Sequence, residues 1–202
     1  MMSLSGEDID LPVVQYDNEY YLSHDFFGHR DYDGTLFVNA ANRLLPRDDV
    51  VLIHGHNMKS GAQFGRLRRF EEYRYAVQHP IVVFRTIWDE EEAAYVVAAA
   101  FNASMTEENP EYFDIGRLRF HPIGEEEIGD GSEDFAQYLA RLKNKSIWDA
   151  PIDLCPTDEL LMLVTCSYYQ ENGRFVLVCR RLREDETREM IENAFAEDQG
   201  TP

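Results

Sequence analysis

Cys166 closes an apolar run, Leu160-Leu161-Met162-Leu163-Val164-Thr165-Cys166, and Arg174 opens another, Arg174-Phe175-Val176-Leu177-Val178-Cys179, with Asn172-Gly173 just ahead of it. Two strands joined by a short glycine-containing loop set the exit of the first beside the entrance of the second. A thiol beside a guanidinium couples a nucleophile to a cation that favours its thiolate and can hold a developing oxyanion. Acyl chemistry on such a thiol also needs a proton carrier. The candidate lies far upstream, where Val50-Val51-Leu52-Ile53-His54-Gly55-His56-Asn57-Met58 is a strand-like run ending in histidines. His54 and His56 are two residues apart, so on a strand both project to the same face, and periodicity does not choose between them. His24, His29, His79 and His121 stand in loop or strand-edge contexts, where solvent or structural roles are the expectation. The plain alternative is that Cys166 is a small buried hydrophobe and Arg174 a surface charge at a turn.

Order and spacing of these segments resemble the sortase family. Ile53-His54-Gly55-His56-Asn57-Met58 is similar to the strand-end Gly-His-Asn segment of sortases, and Leu161-Met162-Leu163-Val164-Thr165-Cys166 resembles their TLxTC signature. Arg174 falls where their essential arginine opens the next strand. The match is closest to class B. It rests on Pro12-Val13-Val14-Gln15, then Asp17-Asn18-Glu19-Tyr20-Tyr21-Leu22, and on Gly55-His56-Asn57-Met58-Lys59-Ser60-Gly61 leading into Phe64-Gly65. A helical segment from Glu133 to Ile147, just ahead of the cysteine strand, fits the class B insertion. The resemblance runs from about Leu11 to Leu182. Met162 replaces the first threonine of the signature, Val164 fills its variable position, and Ser167 and Tyr168 follow the cysteine where some relatives are acidic. The resemblance selects His56 over His54. It implies a cysteine transpeptidase with His56, Cys166 and Arg174 as the catalytic residues, and Asn18, Leu22 and Thr165 in the peptide groove. The expected acyl donor is a Thr-containing sorting signal of the NPxT or LPxT type. The expected acceptor is a cell-wall peptide or pilin amine, reached through a thioester. No cofactor or metal is expected. Two rivals use the same residues differently: a hydrolytic cysteine peptidase, and a peptide-binding module with a vestigial site.

The chain has 202 residues, long enough for one well-packed domain, with 44% hydrophobic and 12% aromatic residues that argue for a folded core. Its formal charge of −19 disfavours a nucleic-acid partner, whose affinity comes from Lys and Arg. The three cysteines form no CxxC, and no zinc-like Cys/His spacing is present. No apolar stretch reaches the roughly 18 residues of a membrane span, and no signal region opens the chain. Class B sortases carry an N-terminal anchor and helix ahead of the proline-valine segment, so this sequence reads as shortened there. By resemblance, the expected location is the outer face of a Gram-positive cell membrane, with the membrane engaged only through such an anchor.

Short strands separated by polar turns are expected from Leu11 to Ile53, including Thr35–Val38 after Asp33-Gly34 and Val50–Ile53. Helical spacing covers Phe64 to Tyr75, and a strand follows at His79–Phe84. Ala93–Phe101 is ambiguous, its alanines favouring helix and its valines strand. Ser132 is a candidate N-cap after the acidic run Glu125-Glu126-Glu127, and Phe135, Tyr138, Leu139 and Leu142 share one helical face. The fold class is therefore mainly β with flanking helices, and the resemblance implies a closed sortase-type β-barrel with a helix inserted before the cysteine strand. The expected divisions are a poorly ordered remnant over 1–10, the catalytic domain over 11–183 and an acidic tail over 184–202.

Overall fold

A computed structural model describes residues 1–4, 9–113, 115, 135–167 and 171–198. Its strands are β1 (Met2–Leu4), β2 (Ile9–Leu11), β3 (Val13–Val14), β4 (Leu36–Val38), β5 (Val50–Gly55), β6 (Ile81–Phe84), β7 (Ala93–Ser104), β8 (Leu160–Ser167) and β9 (Gly173–Arg181). The helices are α1 (Tyr73–Gln78), α2 (Phe135–Lys145) and α3 (Arg188–Glu197). The strands form one sheet in the order β2-β1-β6-β7-β9-β8-β5-β4-β3.

At the sheet centre β5 and β8 run parallel, and β9 lies antiparallel to both β8 and β7. Parallel strands belong in the covered middle of a sheet, which is why β5 and β8 read as continuous apolar runs. Side-chain alternation divides the core into two layers. Val50 and Leu52 of β5, Leu160, Met162 and Val164 of β8, and Val176 and Val178 of β9 pack with Tyr138, Leu139 and Leu142 of α2. Val51, Ile53, Leu161, Leu163, Phe175 and Leu177 face the other way, towards a cluster that includes Phe64, Phe70, Tyr75, Trp148 and Phe195.

The ambiguous alanine-rich segment is strand β7. It is flanked by β6 and β9, and its alanines at 98, 99 and 100 are fully buried. The lateral ladder outweighs alanine's helix propensity there. The segment expected to be helical from Phe64 to Tyr75 is instead a 3-10 turn, Leu67–Glu71, followed by the short α1. The helix ahead of the cysteine strand is present as α2; Ser132 and Glu125–Glu127 lie outside the described residues.

The resemblance implies a closed barrel, but the sheet is open. Its two end strands are β2 and β3, which are sequence neighbours separated by Pro12, and among the described residues no ladder joins them. Pro12 has no N–H to donate, and β3 is only two residues long and is taken up by β4. At the other end, the residues read as a remnant form β1, which pairs with both β2 and β6 and buries Met2. In the charged C-terminal stretch, Thr187 caps α3 by accepting a hydrogen bond from the Met190 amide (3.2 Å). Ile191 and Phe195, one turn apart, enter the core from its buried face.

Candidate active site

Strand register assembles the site. Cys166 on β8 lies directly opposite Arg174 on β9, across the turn that Asn172 permits with φ 54°. On the other side of β8, Gly55 is the register partner of Thr165, so His56 leaves β5 next to the cysteine end of β8. Two long-range hydrogen bonds lock that junction. Thr165 Oγ1 donates to the Gly55 carbonyl and Asn57 Nδ2 to the Cys166 carbonyl, both at 2.8 Å. Beyond His56 the chain turns tightly, with Phe64 N donating to the His56 carbonyl at 3.0 Å. Gly65 is required in that turn, because a Cβ there would lie 2.0 Å from the Met58 carbonyl oxygen. Gly55 is also confined: a Cβ would meet Leu36 Cδ2 at 2.3 Å and Phe64 Cδ2 at 2.7 Å.

His56 has one polar contact among the described residues, Nε2 to the Leu22 carbonyl at 2.7 Å. A carbonyl only accepts, so Nε2 carries the proton and Nδ1 is the basic nitrogen of the neutral ring. A backbone carbonyl therefore orients the imidazole in place of an acidic side chain. Leu22 ends a 3-10 turn, Tyr20–Leu22, whose start is held by Asp17 Oδ1 accepting from the amides of Glu19 (2.9 Å) and Tyr20 (2.6 Å). Thr35 N donates to the Tyr21 carbonyl at 3.0 Å and fixes the turn against the chain entering β4.

A cleft of about 240 Å³ opens over this junction, and all six residues selected from the sequence line it: Asn18, Leu22, His56, Thr165, Cys166 and Arg174. Their roles differ. Thr165 is buried with its hydroxyl engaged on β5, so it acts first as a clamp between strands. Asn18 Oδ1 accepts from Ala40 N at 2.8 Å, which turns its amide nitrogen away from that bond. The Leu22 side chain is 40% exposed and offers an apolar lip. Arg174 is half-buried and donates to the Gly173 carbonyl at 2.9 Å, keeping its remaining N–H groups at the cleft wall. Ser167 Oγ donates to Asn102 Oδ1 at 3.0 Å, tying the end of β8 to β7; Tyr168 lies outside the described residues. Arg180, at the far end of β9, is fully buried and ion-paired with Glu186 at 2.6 Å, a structural role remote from Cys166.

Two further groups belong to this junction. Asn57 belongs to the quoted motif but received no role, and its bond to the cysteine carbonyl is visible only once β5 and β8 are paired. His54 also lines the cleft, stacked on Phe37 with ring centroids 5.3 Å apart. Burial, reinforced by the Arg174 charge, lowers its pKa from the ordinary 6.5 to about 4. His54 is thus neutral near pH 7 and unsuited to protonating a leaving amine there. Among the described residues no group of three or more His, Cys, Asp or Glu side chains is placed to hold a metal ion. Nor is any helix among them long and apolar enough to cross a membrane.

No protein-family model matches the chain. It is 26% identical over 181 residues to sortase B of Listeria monocytogenes, covering 87% of this chain and 66% of that protein. It is 24% identical over 185 residues to sortase B of Staphylococcus aureus, covering 90% and 69%. The chain therefore spans about two thirds of the length of these relatives. Among solved structures, Clostridium perfringens sortase B superposes with a TM-score of 0.72 at 26% identity, over 90% of this chain and 92% of that one. A substrate complex of Staphylococcus aureus sortase B gives 0.71 at 21% identity over 91% and 78%, a likeness of fold. With a sheet that brings a cysteine, an arginine and a histidine to one cleft, the chain is similar in both sequence and fold to the sortases, a family of cysteine transpeptidases. The relatives and the solved structure that it matches are sortase B proteins.

Proposed function

We propose that this chain acts as a class B transpeptidase through Cys166, His56 and Arg174, with Asn18, Leu22 and Thr165 shaping the peptide groove. The observation that carries the reading is the strand register, which sets Cys166 opposite Arg174 and delivers His56 beside them in one cleft. The Cys166 thiolate attacks the threonine carbonyl of an NPxT- or LPxT-type sorting signal, and Arg174 holds the oxyanion of the tetrahedral intermediate. The C–N bond breaks as His56 gives a proton to the departing amine, leaving a thioester on Cys166. An incoming amine loses its proton to His56 and attacks that thioester. The C–S bond breaks, the thiolate returns, and a new amide is formed. The acceptor is a cell-wall peptide or pilin amine. A sortase B has been solved in complex with triglycine, which makes that peptide the first acceptor to try. Kinship with the sortases of Gram-positive bacteria supports a site of action at the surface of such a cell.

The test is mass spectrometry of the chain with Asn-Pro-x-Thr and Leu-Pro-x-Thr peptides, with and without triglycine, and with Cys166→Ala as control. An acyl adduct on Cys166 and an amine-ligated product, both absent from the variant, are expected. Hydrolysis alone under excess amine would mean a peptidase. Absence of any adduct would mean a binding module.

A further inference from the structure

His54 stands in the cleft as a hydrogen-bond donor with nothing to donate to. Its Nε2 lies 3.1 Å from Asn39 Nδ2. The Asn39 amide is fixed the other way round, because its Oδ1 accepts from Ala41 N at 3.0 Å. Asn39 therefore presents N–H to the ring, and His54 Nε2 is the acceptor. In the neutral imidazole the proton then sits on Nδ1. That atom has no hydrogen-bond partner among the described residues, and it is not sealed from solvent. Phe37 covers one face of the ring, while the ring itself lines the cleft between the β4–β5 ladder and Arg174. Protonation would set two N–H groups against each other at Asn39 and add a cation beside Arg174, so the donor tautomer persists through the neutral range.

We propose that His54 is a specificity-determining residue, its Nδ1–H donating to a carbonyl oxygen of the acyl-donor peptide. This rests on the transpeptidase reading above. A peptide lacking an acceptor at that point leaves the N–H buried and unpaired, a penalty larger than the worth of the bond in water. His54 acts on binding, whereas His56 acts on protons.

The tautomer is read first, without any peptide, from long-range proton–nitrogen correlation spectra of 15N-histidine-labelled Cys166→Ala protein, with His54→Gln to assign the signal. The Nδ1–H form is expected between pH 5.5 and 8. An Nε2–H form overturns this inference alone. Affinities for Asn-Pro-x-Thr and Leu-Pro-x-Thr peptides are then measured in Cys166→Ala, with and without His54→Phe. Roughly ten-fold weaker binding is expected in the phenylalanine variant, with a shifted Nδ1 signal on peptide addition to the parent. Loss confined to the Asn peptide assigns the side-chain carbonyl as the acceptor; loss with both assigns a main-chain carbonyl. Equal affinities, or a bound peptide that leaves the His54 signal unmoved, overturn the inference but not the transpeptidase reading. Failure of both peptides to bind overturns the two together. His54→Gln, which keeps a donor, separates lost hydrogen bonding from disturbed packing: it retains more affinity than His54→Phe only if the donor matters.

Discussion

Replacing His54 by phenylalanine makes the folded state more tolerant of acid. The ring is held neutral, with its pKa at about 4 instead of the ordinary 6.5, because burial and the Arg174 charge both oppose a proton there. An unfolded chain meets neither obstacle and binds the proton near its ordinary value. The folded pKa is the lower one, so the stability difference is fully present above pH 6.5 and is lost as pH falls towards the folded value. By linkage the loss is about 2 kcal/mol at pH 5 and about 3 kcal/mol at pH 4. Urea unfolding of the parent and of His54→Phe, followed by tryptophan fluorescence at several pH values from 7.5 to 4, isolates the effect, since carboxylates common to both chains cancel in the difference. The variant should gain about 3 kcal/mol relative to the parent across that range, most of it between pH 6.5 and 4. Two parallel stability curves would refute the reasoning, as would a His54 ring that titrates near pH 6.5 in the folded protein.

Gly55→Ala forces a methyl into contact with Leu36 and Phe64 and should cost about 1–3 kcal/mol in urea unfolding, with a disproportionate loss of acyl-adduct formation because both cleft histidines flank it. Asn57→Ala removes the bond to the Cys166 carbonyl and should destabilise by about 1–3 kcal/mol; an unchanged unfolding midpoint would mean the strand junction does not depend on it. Glu186→Ala strands the buried Arg180 cation and should cost about 3–5 kcal/mol, whereas Glu186→Leu combined with Arg180→Met should recover much of that in the same assay. Burial pushes the Cys179 thiol far above its ordinary range, so brief iodoacetamide treatment of the native protein followed by peptide mapping should leave Cys179 unmodified while Cys166 is alkylated.

How much of this could be read in advance depended on the range of the interaction concerned. Strands β5, β8 and β9 were legible as apolar runs because both faces of each are covered, and such burial is written residue by residue. The class of β7 was not legible. Alanine's local preference is for helix, and only the neighbouring β6 and β9 overrule it. Closure of the sheet was carried over from the resemblance, and it fails at Pro12, where the missing donor is local but the identity of the two edge strands is not. The Cys166–Arg174 pairing follows from a short turn and so was within reach of spacing. The arrival of His56 beside it depends on β5 lying parallel to β8 across more than a hundred residues, which no periodicity contains. The same holds for His54. Alternation placed it on the cleft side with His56, but its neutrality comes from burial and, second to that, from the Arg174 charge, both supplied from elsewhere in the chain.

The parallel β5–β8 pairing also sets when, in the life of the molecule, activity first appears. The bonds from Thr165 to Gly55 and from Asn57 to Cys166 join residues 110 and 109 apart in sequence, so they close the longest loops in the site. Loop closure must precede the contacts that reward it, which makes such pairings slow to form. The β8–β9 hairpin, by contrast, joins Cys166 to Arg174 within a few residues and forms early. A refolding chain therefore pairs Cys166 with Arg174 long before His56 joins them. Recovery of the proposed transpeptidation after dilution from urea should trail the recovery of sheet signal, and peptide turnover would then report the last crossing of the folding barrier.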